Sequence, residues 1–442
     1  MNRAKKLLFP ILLLAVFTIA LEGVGIVVLL VLNGRWVSPR EVVSDLVGDA
    51  DPLEGLEHTW ANGQATSYMQ QHILHPYLGF VRNPEVKQHE FIERTLPFSV
   101  NDFGFFGDSP MVKRAGDSFH VYLMGGSLAL EFFVDAKDIF EEMIGQFQLC
   151  QGKKVKVIGL ALGGHKQPQQ VLLLNYLFSL GAEPDMVIAL DGFNEVVLPV
   201  VENIASGVYP FFPRKWRVYG STSLDMEAVV LAGAIATQRK AVDASKRFIR
   251  GSWLRRSRLG VAVWQGLHRR KAIERTEREQ ALHQLFEKRA EELPVQLRGP
   301  EYEGKTDKYQ IAADCIDVWR RSSRQMWEIC QAKEIAFMQF LQPNQYVEGS
   351  KVLTDWEKRN AFAPKGYLWR IAAKYGYPGL IEHGAKLMEQ GVPYADLTDV
   401  YMDIEETIYK DICCHVNAHG AELLAERMAR EIGQAFPTPR SP

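Results

Sequence analysis

Four short apolar or β-branched runs, at 119–124, 155–160, 186–190 and 335–340, set the strongest constraint on how this 442-residue chain folds. Each run is continuous rather than alternating. Helical stretches lie between them, Ile139 to Phe147 and Gln167 to Leu180 being the clearest. Continuous apolar strands separated by helices describe a parallel sheet covered on both faces. A last helix reads from Ala421 to Phe436, with Leu423, Leu424, Met428 and Ile432 at helical spacing. The chain is long enough for one large core or two modest ones, and 47% hydrophobic against 24% charged residues is a globular balance. A net charge of −2 says nothing for a nucleic-acid partner.

The amino terminus bears on location. Leu7 to Leu32 is an almost wholly apolar run of 26 residues. About 20 helical residues cross a bilayer core, so this run spans it with some tilt. Arg3, Lys5 and Lys6 precede it and keep the short end in the cytoplasm. The competing reading is a signal peptide. Its apolar region runs about 7–15 residues before a small-residue cleavage site. This run is longer and lacks such a site, which favours an uncleaved anchor with the bulk of the chain outside the cytoplasm. Glu22 lies inside the span, either functional, paired with another helix, or protonated. Five cysteines (Cys150, Cys315, Cys330, Cys413, Cys414) are too few for a disulfide scaffold, and sequence assigns no pair.

These signals divide the chain. Residues 1–6 form a cytoplasmic tip and 7–32 the signal anchor. Residues 34–115 are a lead-in packed on the α/β domain that follows, with glycine–aromatic turns at His75-Pro76-Tyr77-Leu78-Gly79-Phe80 and Asn101-Asp102-Phe103-Gly104. Residues 116–195 and 331–442 carry the α/β pattern. Between them, 196–330 is a largely helical insertion. From Arg239 to Lys271 it holds eleven Lys or Arg against the single acid Asp243, with Phe248, Trp253, Leu254 and Trp264 interleaved. Two readings stand level, a solvated face with a packed stripe and an amphipathic helix on anionic lipid; a third is a track for an anionic polymer. Nucleic acid does not suit the compartment.

The chemistry sits at strand ends. Val121-Tyr122-Leu123-Met124-Gly125-Gly126-Ser127-Leu128 runs a strand into two glycines and a serine, the way a parallel sheet presents a hydroxyl at its carboxyl end. The second strand ends in Gly163-Gly164-His165, where glycine lets a backbone N–H approach a substrate oxygen. The third ends in Asp191-Gly192-Phe193-Asn194-Glu195, where Asn194 offers a side-chain N–H. A histidine follows in Asp411-Ile412-Cys413-Cys414-His415, just before the last helix. Nucleophilic acyl chemistry needs this set: a serine, a base to activate it, and donors for the oxyanion.

These four blocks, in this order, resemble the SGNH (GDSL-like) hydrolase superfamily, and Asn101 to Gly104 with Phe340-Leu341-Gln342-Pro343-Asn344 resemble its membrane-anchored bacterial branch. The resemblance covers roughly 75–200 and 330–436. It implies a flavodoxin-like three-layer α/β/α fold with Ser127 as nucleophile, His415 as base, and Ser127, Gly164 and Asn194 as the oxyanion hole, without metal or cofactor. It implies an extracytoplasmic serine esterase or acyltransferase acting on O-acyl groups, acetyl above all, of glycans, with lipid esters a further possibility given the anchor. The pattern departs in three places. The family's G-D-S is Gly125-Gly126-Ser127, and its G-x-N-D is Gly192-Phe193-Asn194-Glu195. Its D-x-x-H acid falls on Ile412, so Asp411 stands one residue too far. A bulge would bring Asp411 to the histidine Nδ1, or a backbone carbonyl would orient the ring instead.

Other readings compete. Ser127 serves as a turn residue, Asn194 as a helix cap, and His165 as a wall of the cleft. His415 and His419 with Cys413 and Cys414 could gather a metal, though zinc favours C-x-x-C over adjacent cysteines. A phosphate-binding protein of the same topology would need more backbone donors than this turn supplies. An inactive domain serving as scaffold of a membrane complex, with Glu22 facing a partner helix, would also accommodate the displaced aspartate.

Overall fold

The structure is a computed structural model that describes residues 3–47, 71–86, 90–91, 94–114, 116–221, 226–288, 295–303 and 307–437. Residues 48–70 of the lead-in, and Met1 and Asn2 of the cytoplasmic tip, lie outside them. The chain divides into two compact units: residues 1–66 with 226–285, and residues 67–225 with 286–442.

In chain order the elements are α1 (Arg3–Asn33), β1 (Ser118–Gly125), α2 (Ser127–Gly145), β2 (Lys154–Ala161), α3 (Gln169–Ser179), β3 (Met186–Asp191), α4 (Phe193–Leu198), α5 (Met226–Gly251), α6 (Arg258–Lys288), α7 (Lys308–Ala332), β4 (Ala336–Leu341), α8 (Leu368–Glu389), β5 (Tyr394–Asp396) and α9 (Ala418–Ala435). A short helix, Pro39–Val47, follows α1, and two small hairpins precede β1.

The five strands form one sheet in the order 2-1-3-4-5, and every pairing is parallel. That order is the flavodoxin-like doubly wound one, with its crevice at the carboxyl ends of β1 and β3. Helices α2 and α9 pack together on one face; α3, α4, α7 and α8 cover the other. The fold is therefore a three-layer α/β/α sandwich with a helical insertion after β3. Both faces being covered explains why the strands read as unbroken apolar runs: Val121, Tyr122, Leu123 and Met124 are all fully buried, as are Val187 to Leu190.

Two elements depart from the sequence reading. The helix expected from Ile139 begins at Ser127. Its first turns are buried almost all round, with Leu128, Ala129, Leu130, Glu131, Phe132 and Phe133 inside, so no helical period marks them. Strand β5 has three residues and is too short to register as a run.

In the first unit, α1 contains one segment, Ala15–Asn33, long and apolar enough to cross a membrane. All five cysteines are free thiols.

Candidate active site

The glycine turn after β1 is shaped by what lies against it. Gly126 is the N-cap of α2, so Ser127 is the first helical residue and is partly exposed. Its backbone N–H is one of the orphan donors at a helix start. A Cβ on Gly126 would stand 2.2 Å from Asn194 Nδ2 and 3.4 Å from the His165 carbonyl oxygen. Only glycine lets these groups close on the turn. Asn194 Nδ2 donates to that same carbonyl at 2.9 Å. The strand-end blocks carrying Ser127, Gly164 and Asn194 thus converge at the carboxyl end of the sheet. Asn194 is not a cap, since Gly192 holds that position in α4.

Buried carboxylates lock these loops beneath the surface. Glu195 accepts from the Gly192 N–H at 2.7 Å and from the Gln167 N–H at 3.1 Å, which ties the Gly164 loop to the start of α4. Asp191 accepts from Trp319, Gln339, Gln170 and Gln167 at 2.7, 2.8, 3.0 and 3.3 Å. Burial raises the pKa of both acids. His165 is wholly buried rather than lining a cleft, with the rings of Phe80 and Phe105 beside it. Burial lowers its pKa to about 4, so it is neutral at pH 7.

The histidine loop solves the spacing problem. His415 Nδ1 lies 2.5 Å from Asp411 Oδ2, while Asp411 Oδ1 accepts from the backbone N–H of Cys413 at 2.8 Å and of His415 at 3.3 Å. The extra residue is absorbed by Cys414, whose φ of 74° is left-handed. Ile412, at the expected acid position, is buried instead, and its carbonyl accepts from the Tyr346 hydroxyl at 2.7 Å. The segment after β4 steadies the rest. Gln345 Nε2 donates to the Asp411 carbonyl at 3.0 Å, and Gln342 Nε2 lies 3.0 Å from Cys414 Sγ.

Glu131 latches this loop to the helix that Ser127 opens. It lies four residues on, hence on the same helix face. Its Oε1 is 2.6 Å from Lys410 Nζ, and its Oε2 accepts from the Val416 N–H at 3.2 Å. His415 sits between those two anchors in sequence. Burial disfavours the imidazolium, but the Asp411 and Glu131 carboxylates outweigh burial and hold the His415 pKa above its ordinary value of 6.5. Burial likewise pushes Asp411 up, and the attraction of His415 with the backbone donors brings it below 3.8. A carboxylate on Nδ1 fixes the ring and the tautomer that leaves Nε2 as the base.

Asp411, Cys413 and His415 bring one donor atom each within 4.8 Å. Asp411 and His415 are engaged with each other, and burial, with the Asp411 carboxylate, pushes the Cys413 thiol pKa up. Of the other residues weighed as ligands, Cys414 is buried against Gln342, and His419 is an exposed residue on α9 beside Glu422.

One residue had no sequence signal. Arg214, from the insertion, lies over Gly164: a Cβ there would stand 1.7 Å from Arg214 Cδ and 2.7 Å from Nη1. Arg214 Nε donates to Glu202 Oε2 at 3.0 Å, and Nη2 pairs with Oε1 of the same carboxylate. Lys166 Nζ fixes the approach by donating to the carbonyls of Pro210 and Phe212 at 2.8 and 2.7 Å. Gly164, at φ 84°, is therefore required both by backbone conformation and by the space the arginine takes. Gly164→Ala is expected to lower the unfolding free energy by about 1–3 kcal/mol through left-handed strain alone. It should also displace Arg214, and the denaturant midpoint of unfolding should fall.

No family model matches the chain, and no curated protein matches it. Several solved structures are similar in part, among them these three. One is a protein described as an acylhydrolase from Bacteroides fragilis (10% identity, TM-score 0.33, covering 74% of this chain and 90% of that one). The second is a GDSL-like lipase from Bacteroides thetaiotaomicron (11%, 0.31, 72% and 89%). The third is a lipase/acylhydrolase from Enterococcus faecalis (12%, 0.31, 73% and 99%). The fold assignment rests on the chain's own strand order: a flavodoxin-like α/β/α sandwich with its residue cluster at the carboxyl ends of the strands.

Proposed function

We propose that the protein is an SGNH-type serine ester hydrolase or acyltransferase, anchored by α1 with its α/β unit outside the cytoplasm, acting on O-acyl groups of envelope or exported glycans. The observation that carries the reading is the 2.5 Å Asp411–His415 contact, in a loop latched by Glu131 to the helix that Ser127 begins. In this reading His415 takes the Ser127 proton, and Ser127 Oγ attacks the ester carbonyl. The Ser127 and Gly164 N–H groups and the Asn194 amide hold the oxyanion, with Arg214 bordering it. The alcohol leaves with the proton from His415, and water or a sugar hydroxyl then releases the acyl group from the serine. The inactive-scaffold reading draws on the displaced aspartate, the large helical insertion and Glu22; the Asp411–His415 contact speaks against the first of these.

The test is acetate release from O-acetylated glycans and from a small aryl acetate by the purified full-length protein. Asn194→Ala should cut kcat by about 10²–10³, equivalent to roughly 2.7–4 kcal/mol of barrier, with little change in KM. Activity unaltered by Asn194→Ala would remove the amide from the oxyanion hole.

A further inference from the structure

The insertion hairpin belongs with α1 rather than with the sheet, and its tip carries residues that the ester chemistry does not use. Four contacts bind it. Glu22 Oε2 accepts from the Arg258 N–H at 2.7 Å, and its Oε1 from the Ser257 hydroxyl, so an acid inside the apolar run caps the start of α6. Gly25 touches α6 backbone to backbone, since a Cβ there would stand 2.4 Å from Leu259 N. Asn33 and Gln265 exchange amide hydrogen bonds at 3.1 and 2.7 Å, and Arg269 donates to the Leu32 carbonyl at the end of α1. Leu29, Val37, Val42, Ile249, Val261, Ala262 and Trp264 pack into one apolar cluster behind these contacts. Helix α6 therefore rises beside α1 from the level of Glu22 to that of Asn33, roughly 16 Å at 1.5 Å per residue. The turn joining α5 to α6 lies at the Glu22 end.

That turn is cationic and apolar at once. Arg247, Arg250, Arg255, Arg256 and Arg258 are exposed there, and no acid occurs between Asp243 and Glu274. Phe248 is 59% exposed and Trp253 77%. A bilayer centre is a costly place for five arginines, whereas the phosphate layer pairs with each of them. With Glu22 at the phosphate layer, residues 3–21 of α1 make the crossing, about 28 Å against a hydrocarbon core of roughly 30 Å, and the rest of the apolar Ala15–Asn33 segment packs Gly25 and Leu29 against the hairpin.

We propose that the hairpin tip, residues 247–258, is a second membrane contact that binds the phosphate headgroups of anionic lipid through its arginines and seats Trp253 and Phe248 at the acyl boundary. The proposal rests on reading α1 as the membrane span. It commits to lipid because the tip is hydrogen-bonded to the apolar helix itself and its charge is of one sign. Its consequence is that the anchor is a clamp of three helices, fixed in depth at the membrane surface, rather than a single tether.

The experiment reconstitutes the full chain in vesicles of phosphatidylcholine alone or mixed with phosphatidylglycerol, each with brominated acyl chains. The quenching lost on Trp253→Phe reports the tip; a Val16→Trp variant reports α1. Expected is stronger quenching at Trp253 in the anionic vesicles than in phosphatidylcholine or in the Arg255→Glu/Arg256→Glu variant, with Val16→Trp quenched throughout. Val16→Trp quenched with Trp253 silent in anionic vesicles would overturn the proposal and leave the anchor standing. Trp253 quenched equally in both lipids would overturn headgroup recognition. Silence at both positions would overturn the anchor and the proposal together.

Discussion

Ser127→Ala is expected to abolish ester hydrolysis, a fall on the order of a millionfold in kcat, while the protein keeps its fold. The size follows from the role: without Oγ no acyl-serine forms, and the oxyanion donors retain only the slow attack of water. Folding is spared because Ser127 is partly exposed at the first position of α2 and Gly126, not the serine, is the N-cap. Thermal unfolding and circular dichroism should match the wild type within the spread of a surface substitution, about ±0.5 kcal/mol. A variant of unchanged activity would assign any esterase signal to another group.

Asp411→Asn is expected to lower kcat by about 10⁴-fold and to move the pH profile. In the proposed mechanism neutral His415 is the base, so kcat/KM rises with pH through the folded-state pKa of the imidazole. The Asp411 and Glu131 carboxylates outweigh burial and hold that pKa above 6.5. The acidic limb of the wild type therefore has its midpoint above 6.5. Replacing Asp411 removes a negative charge beside the ring, and the limb should shift to lower pH even as the rate collapses. Glu131→Gln should shift the limb in the same direction with a far smaller rate loss, because Glu131 acts on His415 through charge and by holding Val416, not through Nδ1. A pH–rate series on the three proteins separates these effects. A limb that stays fixed in Asp411→Asn would mean that the imidazole is not the titrating base.

The parts of this site that sequence makes legible are those with a local signature. Ser127, Gly164 and Asn194 each follow a strand that reads as a buried run, so strand ends and site residues appear together. The sheet order then brings the strand ends that carry them to one edge of the sheet. The Asp411–His415 pair is half legible. Both residues stand in one short segment, but the spacing is off by one, and only the left-handed conformation of Cys414 closes the gap. Nothing in a Cys-Cys dipeptide announces a positive φ. Glu131 is a weak signal, a single acid in Leu-Ala-Leu-Glu-Phe-Phe that could have been questioned as a buried charge. Arg214 has none: it reaches Gly164 from the insertion 50 residues later and is positioned by Lys166 and Glu202, contacts that only folding reveals. Glu22 was recognisable as an acid in need of a helix, but its partner, the start of α6, lies 236 residues away.

Covalent labelling tests the central claim most directly. A fluorophosphonate reacts only with a serine whose proton a neighbouring base removes. Incubated with the folded full-length protein, it should add to the peptide containing Ser127, read by mass spectrometry, and labelling should be lost in Ser127→Ala and His415→Ala. A folded protein that takes no label at Ser127, or a His415→Ala variant that labels like the wild type, would contradict the account.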